Sequence, residues 1–356
     1  MAEAEHLGGG AIGTSEESIK PLRIGEIRPT ELRRLQEEAY ARDLDRLRQR
    51  LPEFVQVACP ACEGERSQAA FEKYGFSFRR CQACRTIYMS PRPTPAVMAS
   101  YYSNSDNYKF WAEHIFPASE ASRREKIHRP MLEYLVGACE RNGVARETLV
   151  EVGPGFGTFV SLAQRSGSFA NVLAVERNPE MAKACRDRGV YVIERAVEDL
   201  APGEIDAADV LVSFEVIEHL FDPAAYLRSA ARLLRDGGLL LLTCPNGEGF
   251  DTAALGALSG QVDSEHVNLF NPDSLVRLLK RSGFEVIESE TPGRLDAELV
   301  RDAAIEGKID LSADPFLKRV LLDEWERLGG PFQKFLAGNG LSGHLRILSR
   351  KTQSSP

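Results

Sequence analysis

Leu149-Val150-Glu151-Val152-Gly153-Pro154-Gly155-Phe156-Gly157-Thr158-Phe159 reads as an apolar strand that enters a glycine turn and leaves it as a helix. Glycine permits the sharp turn and lets a ligand approach the backbone, while the helix start leaves N–H groups free to hold it. The stretch is a candidate cofactor cradle, with Glu151, Gly153, Gly155 and Gly157 as its binding residues. A lone glycine turn says little, so the segments around it carry the case.

The next apolar run ends Ala174-Val175-Glu176-Arg177-Asn178-Pro179, which puts a carboxylate about 20 residues beyond the turn, where it can accept hydrogen bonds from both ribose hydroxyls. From Thr148 onward short apolar runs alternate with helical stretches, the pattern of βαβ units and a mainly parallel sheet. Strands are expected at 149–152, 172–175, 190–193, 210–214, 239–243, 284–289 and 345–349, a seven-stranded α/β sheet. Residues 291–340 form an insertion too long for a plain loop, which should be helical and is a candidate lid.

Four further stretches complete a resemblance. Arg195-Ala196-Val197-Glu198-Asp199-Leu200 follows the third strand. Asp209 to Leu220 contains Phe214-Glu215-Val216-Ile217-Glu218-His219, Leu233 to Leu239 contains Asp236-Gly237-Gly238 before Thr243-Cys244-Pro245-Asn246, and His266-Val267-Asn268-Leu269-Phe270 precedes a helix at 275–284. Together with the glycine turn these resemble the class I methyltransferases that use S-adenosylmethionine, over roughly residues 130–350. The resemblance implies a Rossmann-like sheet. It places Glu151 and the glycine turn at the methionine and ribose portion, Glu176 with Arg177 at the ribose, and Val197 with Glu198 at the adenine. Glu198 and Asp199 both remain candidates for the exocyclic amine. Phe214 and Glu215 would stand beside the reactive methyl, with Asp236-Gly237-Gly238 as the turn into the fifth strand. The family's usual aspartate at the ribose position is glutamate here.

Methyl transfer from a sulfonium is an in-line displacement with a good leaving group, so the protein mainly aligns donor and acceptor. If the acceptor must lose a proton, a histidine of near-neutral pKa is the natural base. His219, just beyond the fourth strand at the carboxyl edge of the sheet, is the first candidate; His266 is the second, with pocket shaping as its competing role. Glu215 is expected to position groups or touch the cofactor.

Cys59-Pro60-Ala61-Cys62 and Cys81-Gln82-Ala83-Cys84 are two knuckles separated by 18 residues, a spacing that lets four thiolates surround one structural Zn2+. Cys139, Cys185 and Cys244 read as structural. The resulting small zinc-ribbon-like module, with Arg92 and Tyr101-Tyr102 after it, resembles the N-terminal part of methyltransferases acting on nucleotide-linked sugars, including sugar C-methyltransferases; Thr291 to Asp296 and Leu341 to His344 fit the same group. In that group the module helps form the acceptor pocket, which makes Tyr101, Tyr102 and Tyr108 candidates alongside ordinary packing.

The organisation expected is a flexible leader at 1–28, an amphipathic helix at 29–52 capped by Thr30, the zinc module at 53–95, a helical and aromatic connection at 96–147, and the cofactor domain at 148–350. A boundary is placed near the proline-rich stretch ending at Pro95. The chain has 356 residues, 43% hydrophobic and 27% charged, ordinary values for a folded protein. Its net charge of -8 opposes a non-specific hold on nucleic acid or anionic membrane, and no stretch has the run of apolar residues a membrane span needs. A cytoplasmic enzyme acting on a small-molecule acceptor is the reading this supports, with oligomeric state left open. A zinc-ribbon RNA methyltransferase, a nicotinamide-dependent oxidoreductase and a non-catalytic binding relative are the competing readings. The acidic balance opposes the first, the closely spaced glycines with the 215–219 stretch the second, and the intact cofactor motifs the third.

Overall fold

The computed structural model describes residues 22–201 and 203–352. The leader's residues 1–21 lie outside them. Its last part is not loose chain as expected: Ile24–Ile27 is a short helix, and Leu22 and Ile27 are buried.

Strands β1 (Ser67–Lys73), β2 (Phe76–Cys81) and β3 (Ile87–Met89) precede β4 (Thr148–Val152), β5 (Asn171–Val175), β6 (Tyr191–Ile193), β7 (Ala208–Phe214), β8 (Leu234–Pro245), β9 (Asn268–Leu269), β10 (Phe284–Glu290) and β11 (His344–Lys351). Seven of them make one sheet in the order β10-β11-β8-β7-β4-β5-β6, with β11 antiparallel to both its neighbours and the remaining pairs parallel. This is the Rossmann-like arrangement expected. Successive residues of a strand face opposite sides of a sheet, so strands covered on both sides must be apolar throughout. Val150, Val152, Leu211, Leu240 and Leu242 face one core, and Leu149, Val210, Val212, Leu239 and Leu241 the other. Helices Pro223–Leu233 and Pro272–Arg281 cover the first face with Tyr226, Leu227, Leu275 and Leu278. Arg129–Asn142 and Thr158–Ser166 cover the second with Leu132, Leu135, Phe159 and Leu162. Asn178, Asp222 and Asn271 cap helix starts through their side chains, and Gly143 in the left-handed conformation stops the helix that ends at Asn142.

Two local expectations are corrected. Thr30 makes no capping hydrogen bond; it opens a 3-10 turn, and the long helix starts at Arg33. That helix, ending at Arg48, buries Ala39, Leu44 and Leu47 but leaves Leu35 exposed, and Leu51, expected to end it, is exposed on the 3-10 turn that follows. Asp236-Gly237-Gly238 is not a separate turn before the fifth strand. It lies inside β8, where the partner of β7 jumps from Leu234 to Leu239 and Gly237 takes a φ of 78°.

The small sheet runs β1-β2-β3-β9, and its last strand comes from the far end of the sequence: Ile87 pairs with Leu269 and Tyr88 with Asn268. Cys59, Cys81, Cys84 and Tyr88 share a core with Phe270 and Leu275. The expected boundary at Pro95 is therefore no gap between separate bodies. After Thr94, whose hydroxyl caps Pro95–Asn104, the chain is helical from Asp106 to Asn142, with π-type turns at Trp111–Ile115 and Arg124–His128. The insertion is helical as expected, with Asp296–Ile305 and Trp325–Gly338 closing a core of Ala297, Val300, Leu311, Val320 and Leu321.

Candidate active site

The glycine turn is latched to the sheet by Gly153 N–H donating to Val175 O at 3.0 Å. Its three glycines have φ of 74°, 53° and 76°, a region that side chains disfavour. They differ in surroundings. A Cβ on Gly153 would stand 2.6 Å from Val216 Cγ2 and one on Gly157 2.8 Å from Cys185 Sγ, whereas one on Gly155 would meet nothing within 4 Å. Two of the glycines thus seat neighbouring side chains, and the middle one keeps an open approach to the backbone.

Two buried carboxylates flank the turn. Glu151, at the end of β4, has an Oε2 with no hydrogen-bond partner, and burial pushes its carboxyl up to about 8. Glu176, ending β5, accepts from Asn178 N–H at 2.7 Å and is raised by burial as well. A cationic ligand would give Glu151 the partner it lacks, and the free capacity of Glu176 suits a pair of hydroxyls. On these grounds the residues fit S-adenosylmethionine, which carries both. Val197 is buried on the 3-10 turn Val197–Asp199, while Glu198, Asp199 and Arg177 are exposed. Phe214 is half-buried and meets Phe159 edge-on at 4.8 Å. Glu215 has a φ of 54°, rare for a side-chain-bearing residue, and accepts from Thr243 Oγ1 at 2.8 Å.

Val216, packed against Gly153 of the glycine turn, directly precedes the segment of Glu218 and His219, whose ligating atoms lie within 4.8 Å of each other and of His266's. Glu218 is fully buried, neither carboxylate oxygen has a hydrogen-bond partner, and burial raises its carboxyl well above the usual range. His219 Nδ1 donates to Glu265 O at 3.2 Å, and His266 Nδ1 to Gln261 O at 2.9 Å. Burial pushes His219 down to about 3, away from the near-neutral titration expected of a base. Asn268 ties the group down by donating to Leu220 O at 2.8 Å.

Several residues at the site carried no signal in sequence. Glu265 accepts from Tyr101 O–H at 2.9 Å, and Asp263 accepts from His266 N–H at 2.7 Å. Arg92, singled out only by resemblance, is buried with its guanidinium donating to Met89 O, Phe221 O and Val267 O at 3.2 to 3.4 Å. It joins three loops around the histidines. Tyr101, Tyr102 and Tyr108 form an edge-to-face series, each ring 5.4 Å from the next.

The four knuckle sulfurs converge. Cys59 Sγ and Cys84 Sγ are 3.5 Å apart, Cys62 Sγ and Cys81 Sγ also 3.5 Å, and all four lie within 4.8 Å of one another. A zinc tetrahedron with Zn–S of about 2.3 Å has edges of about 3.8 Å, so the donor set fits Zn2+. The Cys59 thiol and then the Thr86 hydroxyl hold Cys84 down, at about 4.

The methyltransferase-domain family model matches residues 119–289. A ubiquinone biosynthesis O-methyltransferase of Xanthomonas axonopodis pv. citri (strain 306) is 31% identical over 168 residues, 44% of this chain and 68% of that protein. A protein named a probable S-adenosylmethionine-dependent methyltransferase of Mycobacterium tuberculosis (strain ATCC 25618 / H37Rv) is 34% identical over 115 residues, 32% of this chain and 40% of that one. Among solved structures, an S-adenosylmethionine-dependent methyltransferase from Clostridium acetobutylicum ATCC 824 aligns with a TM-score of 0.45 at 11% identity, covering 69% of this chain and 99% of that chain.

Proposed function

The chain belongs to the class I S-adenosylmethionine-dependent methyltransferases, and from that premise we propose that it methylates a small-molecule acceptor, a nucleotide-linked sugar or another biosynthetic intermediate, at carbon or oxygen. The observation that carries this reading is the open face of Gly155 between the buried carboxylates Glu151 and Glu176, with Glu218, His219 and His266 reached through Val216. When bound, the cofactor supplies an activated methyl group and its leaving group. The chain's own part is to hold and align. Glu151 would balance the cofactor's positive charge, Glu176 would hold the ribose, and Val197 would pack the adenine with Glu198 or Asp199 at its edge. Phe214 and Glu215 would border the methyl. His219 and His266 would receive and orient the acceptor, with Tyr102 and Tyr108 along the way in.

Cys59, Cys62, Cys81 and Cys84 would hold a structural Zn2+ that stabilises the small sheet and, through β9, the loop of His266. Among the described residues no helix is long and apolar enough to cross a membrane. The RNA methyltransferase reading loses support because basic residues near the knuckles are already engaged. Arg80 and Arg85 pair with Glu248, Arg79 binds Ser67, and Lys73 donates to Ser259 O.

Calorimetric titration of the zinc-replete protein with S-adenosylhomocysteine, with NAD as control, tests the proposal. Saturable micromolar binding that Glu176→Ala weakens at least tenfold is expected. No binding, or a preference for NAD, would overturn it.

A further inference from the structure

Glu218 poses a question that cofactor binding leaves unanswered. A carboxyl taken wholly out of water with both oxygens lacking hydrogen-bond partners is costly to ionise unless a cation meets it. Among the described residues no lysine or arginine pairs with it; the neighbour its oxygen faces is His219 Nε2, at 3.9 Å.

The two imidazoles are set for the same purpose. A carbonyl oxygen only accepts, so the contacts from His219 Nδ1 to Glu265 O and from His266 Nδ1 to Gln261 O place the ring proton on Nδ1 in each. In the neutral ring each Nε2 is then a bare lone pair. Asp263 Oδ2, 3.3 Å from His266 Nδ1, adds a carboxylate behind the second ring. Metal-binding histidines are held in this way, with the second ring nitrogen donated to a carbonyl or carboxylate that fixes tautomer and orientation. The rings stand 4.8 Å apart, and the ligating atoms of Glu218, His219 and His266 lie within 4.8 Å of one another. The three residues come from two segments, and Asn268 locks these together by donating to Ile217 O and Leu220 O at 3.3 and 2.8 Å.

We propose that Glu218, His219 and His266 form a divalent-cation site, separate from the thiolate cluster, whose remaining coordination positions accept an oxygen of the methyl acceptor. Two imidazoles and one carboxylate suit first-row divalent ions, and three protein ligands leave positions open, as catalytic rather than structural metal sites do. The histidines then act as ligands instead of bases, and an acceptor recognised here presents a hydroxyl. The cation's use in catalysis rests on the methyltransferase reading; its binding does not.

The test is titration of the full, zinc-replete chain with Mn(II), followed by loss of the aqueous Mn(II) electron paramagnetic resonance signal. Mn(II) has little taste for four thiolates, which keeps the zinc cluster out of the readout. One saturable equivalent is expected, weakened at least about tenfold by Glu218→Gln and by His266→Gln and unchanged by His114→Gln, a distant exposed histidine. The two ligand variants lie on different segments, so either serves if the other does not fold. No saturable uptake, or uptake that both ligand variants leave unchanged, overturns the proposal. Calorimetry with S-adenosylhomocysteine on the same sample separates the two readings. Its binding without Mn(II) uptake removes the cation site and leaves the methyltransferase; Mn(II) uptake without it does the reverse.

Discussion

Gly155 and Gly157 share a positive φ but face different surroundings, and that difference separates binding from folding. Gly155→Ala adds a methyl where nothing lies within 4 Å, so its cost to the fold is the left-handed backbone alone, about 1–2 kcal/mol. The same methyl fills the approach to the turn, and affinity for S-adenosylhomocysteine is expected to fall more than tenfold. Gly157→Ala has that backbone cost and also drives into Cys185, so its loss should appear first in the melting temperature. Thermal melts and titrations of both variants check the contrast. Glu151 adds a pH signature. Its folded carboxyl stands at about 8, above the ordinary value of 4.5, so between those limits the folded protein holds a proton that the unfolded chain has lost. The contribution of Glu151 to the stability of the ligand-free protein should therefore fall as pH rises from 4.5 to 8 and level off above, and Glu151→Gln should remove that part of the slope while leaving the part carried by Glu176 and Glu218, which burial also raises. Binding of the cationic cofactor favours the ionised carboxylate, so affinity for S-adenosylmethionine should climb toward pH 8 in the wild type and climb less in Glu151→Gln, where Glu176 is still raised by burial. Calorimetry in buffers of different ionisation enthalpy would detect the released proton.

At the scale of elements, the small sheet would link metal binding at the four cysteines to the candidate active site. Met89 N–H donates to Val267 O at 2.9 Å, and β3 pairs with β9 immediately after His266. If Zn2+ organises β1 to β3, a chelator that removes it should speed hydrogen exchange at Met89 and at Asn268 and Leu269 well before the seven-stranded sheet responds; equal protection with and without chelator would sink the linkage. Sequence made the large sheet legible because each of its strands carries its own apolar run bounded by a helix or turn, and β4, β7 and most of β8 are buried on both sides. It could not show β9, two residues long, whose partner lies roughly 180 positions away in sequence. For the same reason the expected break at Pro95 disappears, since contacts across it come from a distant segment. The glycine turn and the cysteine knuckles were readable because their chemistry is local in spacing. The burial of Glu218 was not, because a carboxyl without a partner in the core is a property of packing. The near-neutral histidine also failed there, since burial decides where His219 titrates.

Across the whole molecule, the insertion is bound to the sheet at one polar junction. Asp296, at the start of its first helix, accepts from Gly343 N–H and Ser342 O–H at the head of β11, and Gln333 from its last helix donates to Asp296 at 2.8 Å and to Gly293 O at 2.9 Å. Asn246 at the end of β8 answers from the other side, donating to Ser342 O at 2.8 Å. Asp296, Ser342 and Asn246 are buried and Gln333 is half-buried, so Asp296→Ala would strand several donors at once, each costing about 1–3 kcal/mol where buried. A loss of about 3 kcal/mol or more in denaturant unfolding is expected. The same strand head carries His344, whose ring lies 3.6 Å from Glu215, so the junction also bears on the residue that would border the methyl group. Loosening it should therefore lower turnover in the fraction that stays folded, while S-adenosylhomocysteine, which the proposed site would hold at β4 and β5, binds with little change. Turnover unchanged in folded Asp296→Ala would mean that the insertion supports the sheet without bearing on the acceptor side. Turnover lost together with cofactor affinity would mean that the whole cleft depends on this one junction.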